Sequence, residues 1–463
     1  MASVEMCAPP CSAGMAAPLG AIPCQPGNEP ILSETLRGGI YLAGRYALGV
    51  IVSLGNMLVM TWWIGPHAYG VFVTAISMVA FLAAVARGGV DTYLVRTEKL
   101  PDEVAYGTAV TLVVAVSGLV AAVAVAGTSA LIRWYGNREF VTPYLLLLLT
   151  IPVTAVTGVP MAKLERALNF RRVAAIELSG QSIGLAVAAV LALCHAGVWA
   201  PVFGQIAWQV FTLVAAAISA SMMMNFRLDR CRAKEMMSYG IGLTASLRVW
   251  QLRTLVNPML VGRLAGAEAV AFVALAIRIA EALGSIRLAA GRMAIAALAR
   301  LQNKKQEFCR ALERALYLQV ITLGPLLCGF ALLGPAIVPR VLGMRWTPSL
   351  ALYPFVAAGV LVNSVYNLQA SALFVVGKQW TVMQSYSAHV ALLAATTLVL
   401  LPRFGLAGYG WAELIACGSY LTIHRGLRHW VVISYGELRT CIAVFLTTLF
   451  LIHVFTCARH IFR

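Results

Sequence analysis

Thirteen apolar segments of about 20 residues follow one another along this chain, and each is long enough to cross a bilayer core as a helix. They lie at about 38–63, 69–91, 106–132, 141–162, 174–194, 197–222, 238–261, 267–295, 315–337, 349–374, 381–401, 406–424 and 440–458. A bilayer core offers no water to a peptide N–H or C=O, so such segments must bond internally as packed helices. The predicted fold class is an all-α polytopic membrane protein. Composition agrees, with 60% hydrophobic residues and only 11% charged, where soluble domains run near half apolar and a quarter charged. The net charge of +17 therefore reads as loop charge on a membrane protein and does not imply nucleic acid as a partner. Ten cysteines show no metal-ligand spacing, so neither a metal nor any other cofactor is expected. No loop is large enough to hold a catalytic domain, and the chain reads as a non-enzyme that works among its helices.

Lys and Arg collect in alternate loops: Arg96 and Lys99; Lys163, Arg166, Arg171 and Arg172; Arg227, Arg230, Arg232 and Lys234; Arg300, Lys304 and Lys305. Basic residues mark the cytoplasmic side, which places the N-terminus inside and, with an odd span count, the short C-terminus outside. Residues 1–37 contain no Lys or Arg before Arg37, so they read as a disordered cytoplasmic tail rather than a secretory signal.

The two halves echo each other at an offset close to 200 residues. Trp63-Ile-Gly-Pro-His-Ala-Tyr-Gly70 corresponds to Leu264-Ala-Gly-Ala-Glu-Ala-Val-Ala271, and Gly197-Val-Trp-Ala-Pro-Val-Phe-Gly-Gln205 to Gly405-Leu-Ala-Gly-Tyr-Gly-Trp-Ala-Glu413. Six spans repeated in the same orientation give two six-helix lobes related by a pseudo-two-fold axis along the membrane normal, a transporter architecture. The expected organisation is a tail at 1–37, an N-terminal lobe at 38–222, a cytoplasmic linker at 223–237, a C-terminal lobe at 238–430 and an additional helix within 431–463.

Arg45, Arg87, Arg248, Arg253, Arg278, Arg287 and Arg292 fall inside these spans. An Arg at a helix centre costs about 2.5–3.5 kcal/mol even on a permissive scale, so most must face water, a partner or the interface. Arg45 and Arg87 sit near span ends, where a long side chain can snorkel. At 100° per residue, taking Arg278 as zero, Glu281 falls at about 300°, Arg292 at about 320° and Arg287 at about 180°. Arg278, Glu281 and Arg292 thus share one stripe, and Arg278 and Glu281 are close enough to pair. On the preceding span Arg253 and Asn257 lie about 40° apart. The excess of Arg over acid predicts a cationic cavity suited to phosphate, which the planar guanidinium binds in bidentate fashion. Glu281 is the candidate coupling carboxylate, while Glu177 and Glu413, near span ends, read as interfacial. Trp62, Trp63, Trp134, Tyr144, Trp199, Trp346, Trp380 and Trp411 read as an interface belt.

Several local patterns then bring in a resemblance. They are Ile64-Gly-Pro-His-Ala-Tyr-Gly-Val-Phe72, Pro160-Met-Ala-Lys-Leu-Glu-Arg-Ala-Leu-Asn-Phe-Arg-Arg172 with Glu177 following, Leu275-Ala-Ile-Arg-Ile279 continuing through Gly291-Arg292 to Ala297-Leu-Ala-Arg-Leu-Gln302, and Gly343-Met-Arg-Trp346. In this order, across roughly residues 38–430, the chain resembles the Wzx-type oligosaccharide-lipid flippases of the polysaccharide transport family, which share a superfamily with MATE exporters and lipid II flippases. The resemblance implies transfer of an undecaprenyl-diphosphate-linked oligosaccharide from the cytoplasmic to the periplasmic leaflet of a bacterial inner membrane, by alternating access. The polymer served would be an O-antigen, capsule or exopolysaccharide, with polymerase and export machinery as partners besides membrane lipids. Arg278 and Arg292 would hold the diphosphate with help from Arg253 and Arg45. Three departures stand out: Asn257-Pro258 where relatives carry Asp-Arg, Ala296 where Pro is common, and thirteen spans where fourteen are usual. Two other readings compete: a MATE-like exporter of small molecules, against which the Arg excess argues, and a membrane glycosyltransferase or polymerase, for which the outer loops offer only His67, His195, Glu139 and Glu268.

Overall fold

The computed structural model describes residues 29–97, 100–222, 225–285, 298, 301, 304–430 and 436–461, and no strand occurs among them. In chain order the helices are α1 (Glu29–Arg87), α2 (Val90–Arg96), α3 (Glu103–Ala126), α4 (Thr128–Tyr135), α5 (Val141–Leu148), α6 (Thr150–Arg166), α7 (Phe170–Leu193), α8 (Trp199–Ser219) and α9 (Arg230–Val256). There follow a π turn (Asn257–Val261), α10 (Gly262–Leu283), α11 (Lys305–Val341), α12 (Pro348–Val375), α13 (Gln379–Phe404), α14 (Leu406–Ala416), α15 (Leu421–Arg428) and α16 (Gly436–Ile461). Among the described residues nine helices are long and apolar enough to cross a membrane, and Leu438–Val454 within α16 is a shorter apolar helix. The chain is a multi-pass membrane protein.

The first two apolar segments run into one another as α1, which kinks at Gly65 (φ 80°, ψ 169°). Only glycine adopts that backbone region without strain, and Pro66 removes the next N–H donor. In the second half α10 kinks in the same way at Gly266 (φ 85°, ψ 177°), 201 residues on. Left-handed backbone recurs elsewhere at like spacing: Gly136 and Gly343, Leu168 and Gly377, Gly197 and Gly405. The repeat read from the sequence thus has a counterpart in the turns of the backbone. The twelfth segment is interrupted, being α14, a 3-10 turn at Cys417–Tyr420 and then α15. Helix α9 begins inside the stretch read as linker, because the Asp229 carboxylate caps it, accepting from the N–H groups of Cys231 at 2.9 Å and Arg232 at 3.3 Å.

Helix faces without bulk allow close approach where no hydrophobic drive exists between lipid-bathed helices. Gly180, Gly184 and Ala188 line one face of α7 against α8, Gly180 at Trp208 and Thr212 and the other two at Gly204, and a Cβ on Gly184 would stand 2.9 Å from the Gly204 carbonyl oxygen. Between the two halves, α1 meets α10 at Gly70, which lies directly against the Ala267 carbonyl.

Contacts gather at both ends: those of Arg232, Trp134 and Tyr135 run between the halves, and those of Arg166 and His67 lie within the first. At one end the basic loops gather. The Arg166 guanidinium donates to the carbonyls of Leu94 (3.0 Å) and Thr97 (2.7 Å), and Arg232 pairs with Asp102, the N-cap of α3. Arg232, together with the Ala105 N–H, holds the Asp102 carboxyl below its usual range. At the other end Trp134 Nε1 donates to the Met259 carbonyl (2.9 Å) and the Tyr135 hydroxyl to that of Pro258 (2.7 Å). There also His67 Nε2 lies 2.8 Å from the Glu139 carboxylate, which this contact holds below the usual carboxylate range. Trp346 is not part of an interface belt. It is buried, donates to the Thr61 carbonyl at 3.0 Å and packs edge-on against Tyr69 and Phe272. Tyr144 is likewise a core residue, whereas Trp62, Trp63, Trp134, Trp380 and Trp411 are exposed as a belt requires.

The close α7–α8 approach predicts that Gly184→Val lowers stability by about 1–3 kcal/mol through overpacking. The check is thermal unfolding in detergent beside Gly118→Ala, whose added Cβ meets nothing within 4 Å and leaves the midpoint nearly unchanged or slightly raised.

Candidate functional site

Two helices of the second half, α9 and α10, carry the described charged groups that sequence reasoning selected there. Arg278 and Glu281 stand one turn apart on α10, Arg278 exposed and Glu281 half-buried. Arg253 lies near the end of α9, within electrostatic range of Glu281. Arg278 in turn lies within range of the buried Tyr69 hydroxyl of α1, so the site touches both halves. Asn257 opens the π turn, where its Nδ2 donates to the Val270 carbonyl at 3.2 Å while Oδ1 is buried without a hydrogen-bond partner. The π turn follows from Pro258, which has no N–H for the α-helical ladder. Arg292 and Arg287 lie outside the described residues, as does the side chain of Arg45.

Arg253 does not stand alone. Its guanidinium forms an ion pair with Glu413 of α14, and the Glu413 side chain is only 4% exposed. The sequence placed Glu413 at a span edge in an interfacial role; the fold buries it. The same guanidinium lies over the Trp250 ring, 5.3 Å from its centroid, which adds a cation–π contact. Around the pair stand His389 of α13 and Tyr420 of the 3-10 turn, their rings stacked 4.9 Å apart at 13°. His389 is fully buried, and its Nδ1 lies 3.0 Å from the Ala416 carbonyl. That bond needs a proton on Nδ1 and leaves Nε2 with a lone pair, and Nε2 has no hydrogen-bond partner. Arg253 Nε and Glu413 Oε2 are also buried and unpartnered. Glu413, His389 and Tyr420 were the groups that sequence reasoning missed. The available signal was an acid well inside an apolar run, which calls for a cation elsewhere in the membrane.

Helix α10 has a second character on its adjacent face. Relative to Arg278, Ala282, Ile279 and Leu283 fall at about 40°, 100° and 140°. They line an apolar cavity of about 240 Å³ closed by Met57 of α1 and by Phe330 and Val338 of α11. One helix thus presents cationic and acidic side chains beside a wholly apolar hollow at the junction of the two halves.

The decisive comparison is with protein families, where residues 59–351 match the one described as polysaccharide biosynthesis protein. The chain belongs to the polysaccharide biosynthesis protein family. No curated protein matches it by sequence. Among solved structures this family member is similar to the lipid II flippase MurJ in an inward closed conformation, with a TM-score of 0.74 and 11% identity over 92% of this chain and 100% of that one. It is also similar to an inward-facing multidrug resistance MATE transporter of the MOP superfamily (TM-score 0.65, 14% identity, 86% of this chain and 96% of that one). A eukaryotic MATE transporter gives a TM-score of 0.57 at 13% identity, over 89% and 99%. At these identities the likeness establishes a shared fold.

Removing one partner of a buried ion pair leaves the other charge uncompensated, at a cost of about 3–5 kcal/mol. Glu413→Leu or Arg253→Met alone is therefore expected to lower stability strongly. The double variant recovers much of the loss in a double-mutant cycle of unfolding in detergent; additive losses would show that the pair does not form.

Proposed function

We propose that this protein is a flippase for a lipid-linked oligosaccharide of polysaccharide biosynthesis, carrying an undecaprenyl-diphosphate-linked repeat unit between leaflets by alternating access. The single observation that carries the reading is the amphiphilic character of α10. A lipid diphosphate joins a doubly anionic group to an apolar chain. Arg278 and, on the same stripe in the sequence, Arg292 suit the diphosphate, and the hollow lined by Ile279, Ala282 and Leu283 suits the first stretch of the chain. The family assignment and the flippase named among the similar structures agree with this cargo. A MATE-type exporter shares the fold, but a site led by Arg278 and Arg253 repels the cationic compounds that such a site would otherwise gather.

In this reading the protein sits in a bacterial inner membrane with its basic loops and N-terminus in the cytoplasm. Transport needs no bond to be made or broken, and no side chain is assigned a catalytic role. Arg45, Arg253 and Asn257 complete the cavity. Arg253 reaches the diphosphate by exchanging Glu413 for phosphate oxygens, and the freed Glu413 or Glu281 is then a carboxylate that can take a proton. Lipid arrival and protonation are coupled through one guanidinium. The contacts at the two ends, Asp102–Arg232 and Trp134–Met259, open in turn.

The experiment is complementation. Bacterial hosts lacking their own flippase express this protein, and surface polysaccharide is scored with membrane abundance matched. Wild type restores polymer in at least one host, and Arg278→Ala and Arg292→Ala lower it by about tenfold or more, as expected for losing a charge-assisted phosphate contact of about 1.5–3 kcal/mol. Glu281→Gln or Glu413→Gln lowers it if that carboxylate couples transport. Polymer levels equal to wild type in the Arg278 and Arg292 variants would mean that the α10 stripe is a structural seam.

A further inference from the structure

The first half contains a cavity that the reading above does not use. It has a volume of about 520 Å³ and lies among α1, α2, α6, α7 and α8, within the about 300–1,000 Å³ range of small-molecule sites. Its charged lining is mixed, Arg87 and Arg96 with Asp91, Glu165 and Glu177, and Gln181, Trp208 and Gln209 stand among them. Arg87, which the sequence left free to snorkel, and Glu177, read there as interfacial, both line this cavity and are partly buried.

The lining narrows the class of ligand. A metal ion would leave most of the volume empty. An acyl chain would have to desolvate both cationic and acidic groups, which is unfavourable without partners. A simple anion meets the carboxylates of Asp91, Glu165 and Glu177, and a simple cation meets Arg87 and Arg96. What remains is a neutral ligand rich in groups that both donate and accept. Beyond its charged groups the wall offers neutral polar ones, the hydroxyls of Thr154 and Thr157 and the amide of Gln181, and a sugar hydroxyl can donate to or accept from such groups. Trp208 adds an apolar wall against which the C–H face of a sugar ring can pack, while Gln209 beside it offers an amide.

Position places the cavity toward the second half: Arg248 of α9 lies within electrostatic range of both Arg87 and Asp91, and α9 also carries Arg253.

We infer that the cavity lined by Arg87, Asp91, Gln181, Trp208 and Gln209 is a carbohydrate subsite that holds neutral sugars of the transported headgroup while its diphosphate rests at the α10 stripe. The inference rests on the flippase reading and makes the first half the selector for sugar and the second half the holder of lipid diphosphate.

The test is binding to the purified full-length protein in detergent, with two probes. One is undecaprenyl diphosphate without sugar, and the other is the lipid-linked oligosaccharide pool extracted from a host whose polymer the protein restores. The expected result is that wild type binds the sugar-bearing pool more tightly than the bare lipid. Trp208→Ala and Gln209→Ala each remove about tenfold of that preference and leave bare-lipid binding unchanged, while Trp208→Phe keeps most of it. Arg278→Ala weakens both probes. Gln209→Ala keeps the test open should Trp208→Ala misfold, since Trp208 also packs against Gly180 and Gly184 of α7. Equal affinity of wild type for the two probes, or equal loss of both in Gln209→Ala, overturns the subsite and leaves the flippase reading standing. Binding of neither probe above that of a plain phospholipid overturns both.

Discussion

A charge inside a bilayer must find a countercharge, a water-filled cavity or a ligand, because hydrocarbon supplies none of these. Almost every feature of this protein's interior answers to that constraint. Arg253 is held against Glu413 and the Trp250 ring, Arg166 is spent on the carbonyls that end α2, and Arg232 is joined to Asp102 where the basic loops meet. Arg278 is the exception among these groups, exposed on a helix whose neighbouring face is apolar and hollow. A cation kept open beside an apolar cavity is the arrangement an anionic lipid satisfies.

The same constraint explains how the helices are broken. The glycine kinks at Gly65 and Gly266 fall at matching places in the two halves, and the π turn at Asn257–Val261 leaves carbonyls that Trp134 and Tyr135 cap from the other half. Irregular backbone at membrane depth survives only where protein covers it or a cavity borders it. These are also the places where one half grips the other, so the interruptions and the grip between halves coincide. Packing joins the halves as well, since Met57, Met60 and Tyr69 of α1 share one buried core with residues of α10, α11 and α12.

Much of this was legible in the sequence because hydrophobic length and helical period are one-dimensional signals. The all-α class, the order of spans, the basic loops at one end and the Arg278–Glu281 stripe all follow from counting along the chain. The interior partnerships do not. Glu413 lies 160 residues from Arg253, and nothing in the local run around Glu413 says which cation it meets. His389 is an isolated ionisable residue in the middle of α13 and carries no periodic signal, although its ring stacks on Tyr420 at the heart of the site. Trp346 sits at a span end, where belt and core residues look alike in sequence, and only packing on Tyr69 separates the two. Arg87 and Glu177 were masked in the same way, since a group near a span end can face either headgroups or an interior cavity.

The central claim is that Arg278 and its apolar neighbour cavity carry a lipid diphosphate across the membrane. The most direct measurement places the purified protein in sealed vesicles with a radiolabelled undecaprenyl-diphosphate oligosaccharide in the outer leaflet, and follows the label that becomes protected from a membrane-impermeant oxidant. The account predicts that wild type protects label well above protein-free vesicles and that Arg278→Ala returns the rate to the protein-free level. Label that stays exposed with wild type, or Arg278→Ala protecting it as fast as wild type, would contradict the account.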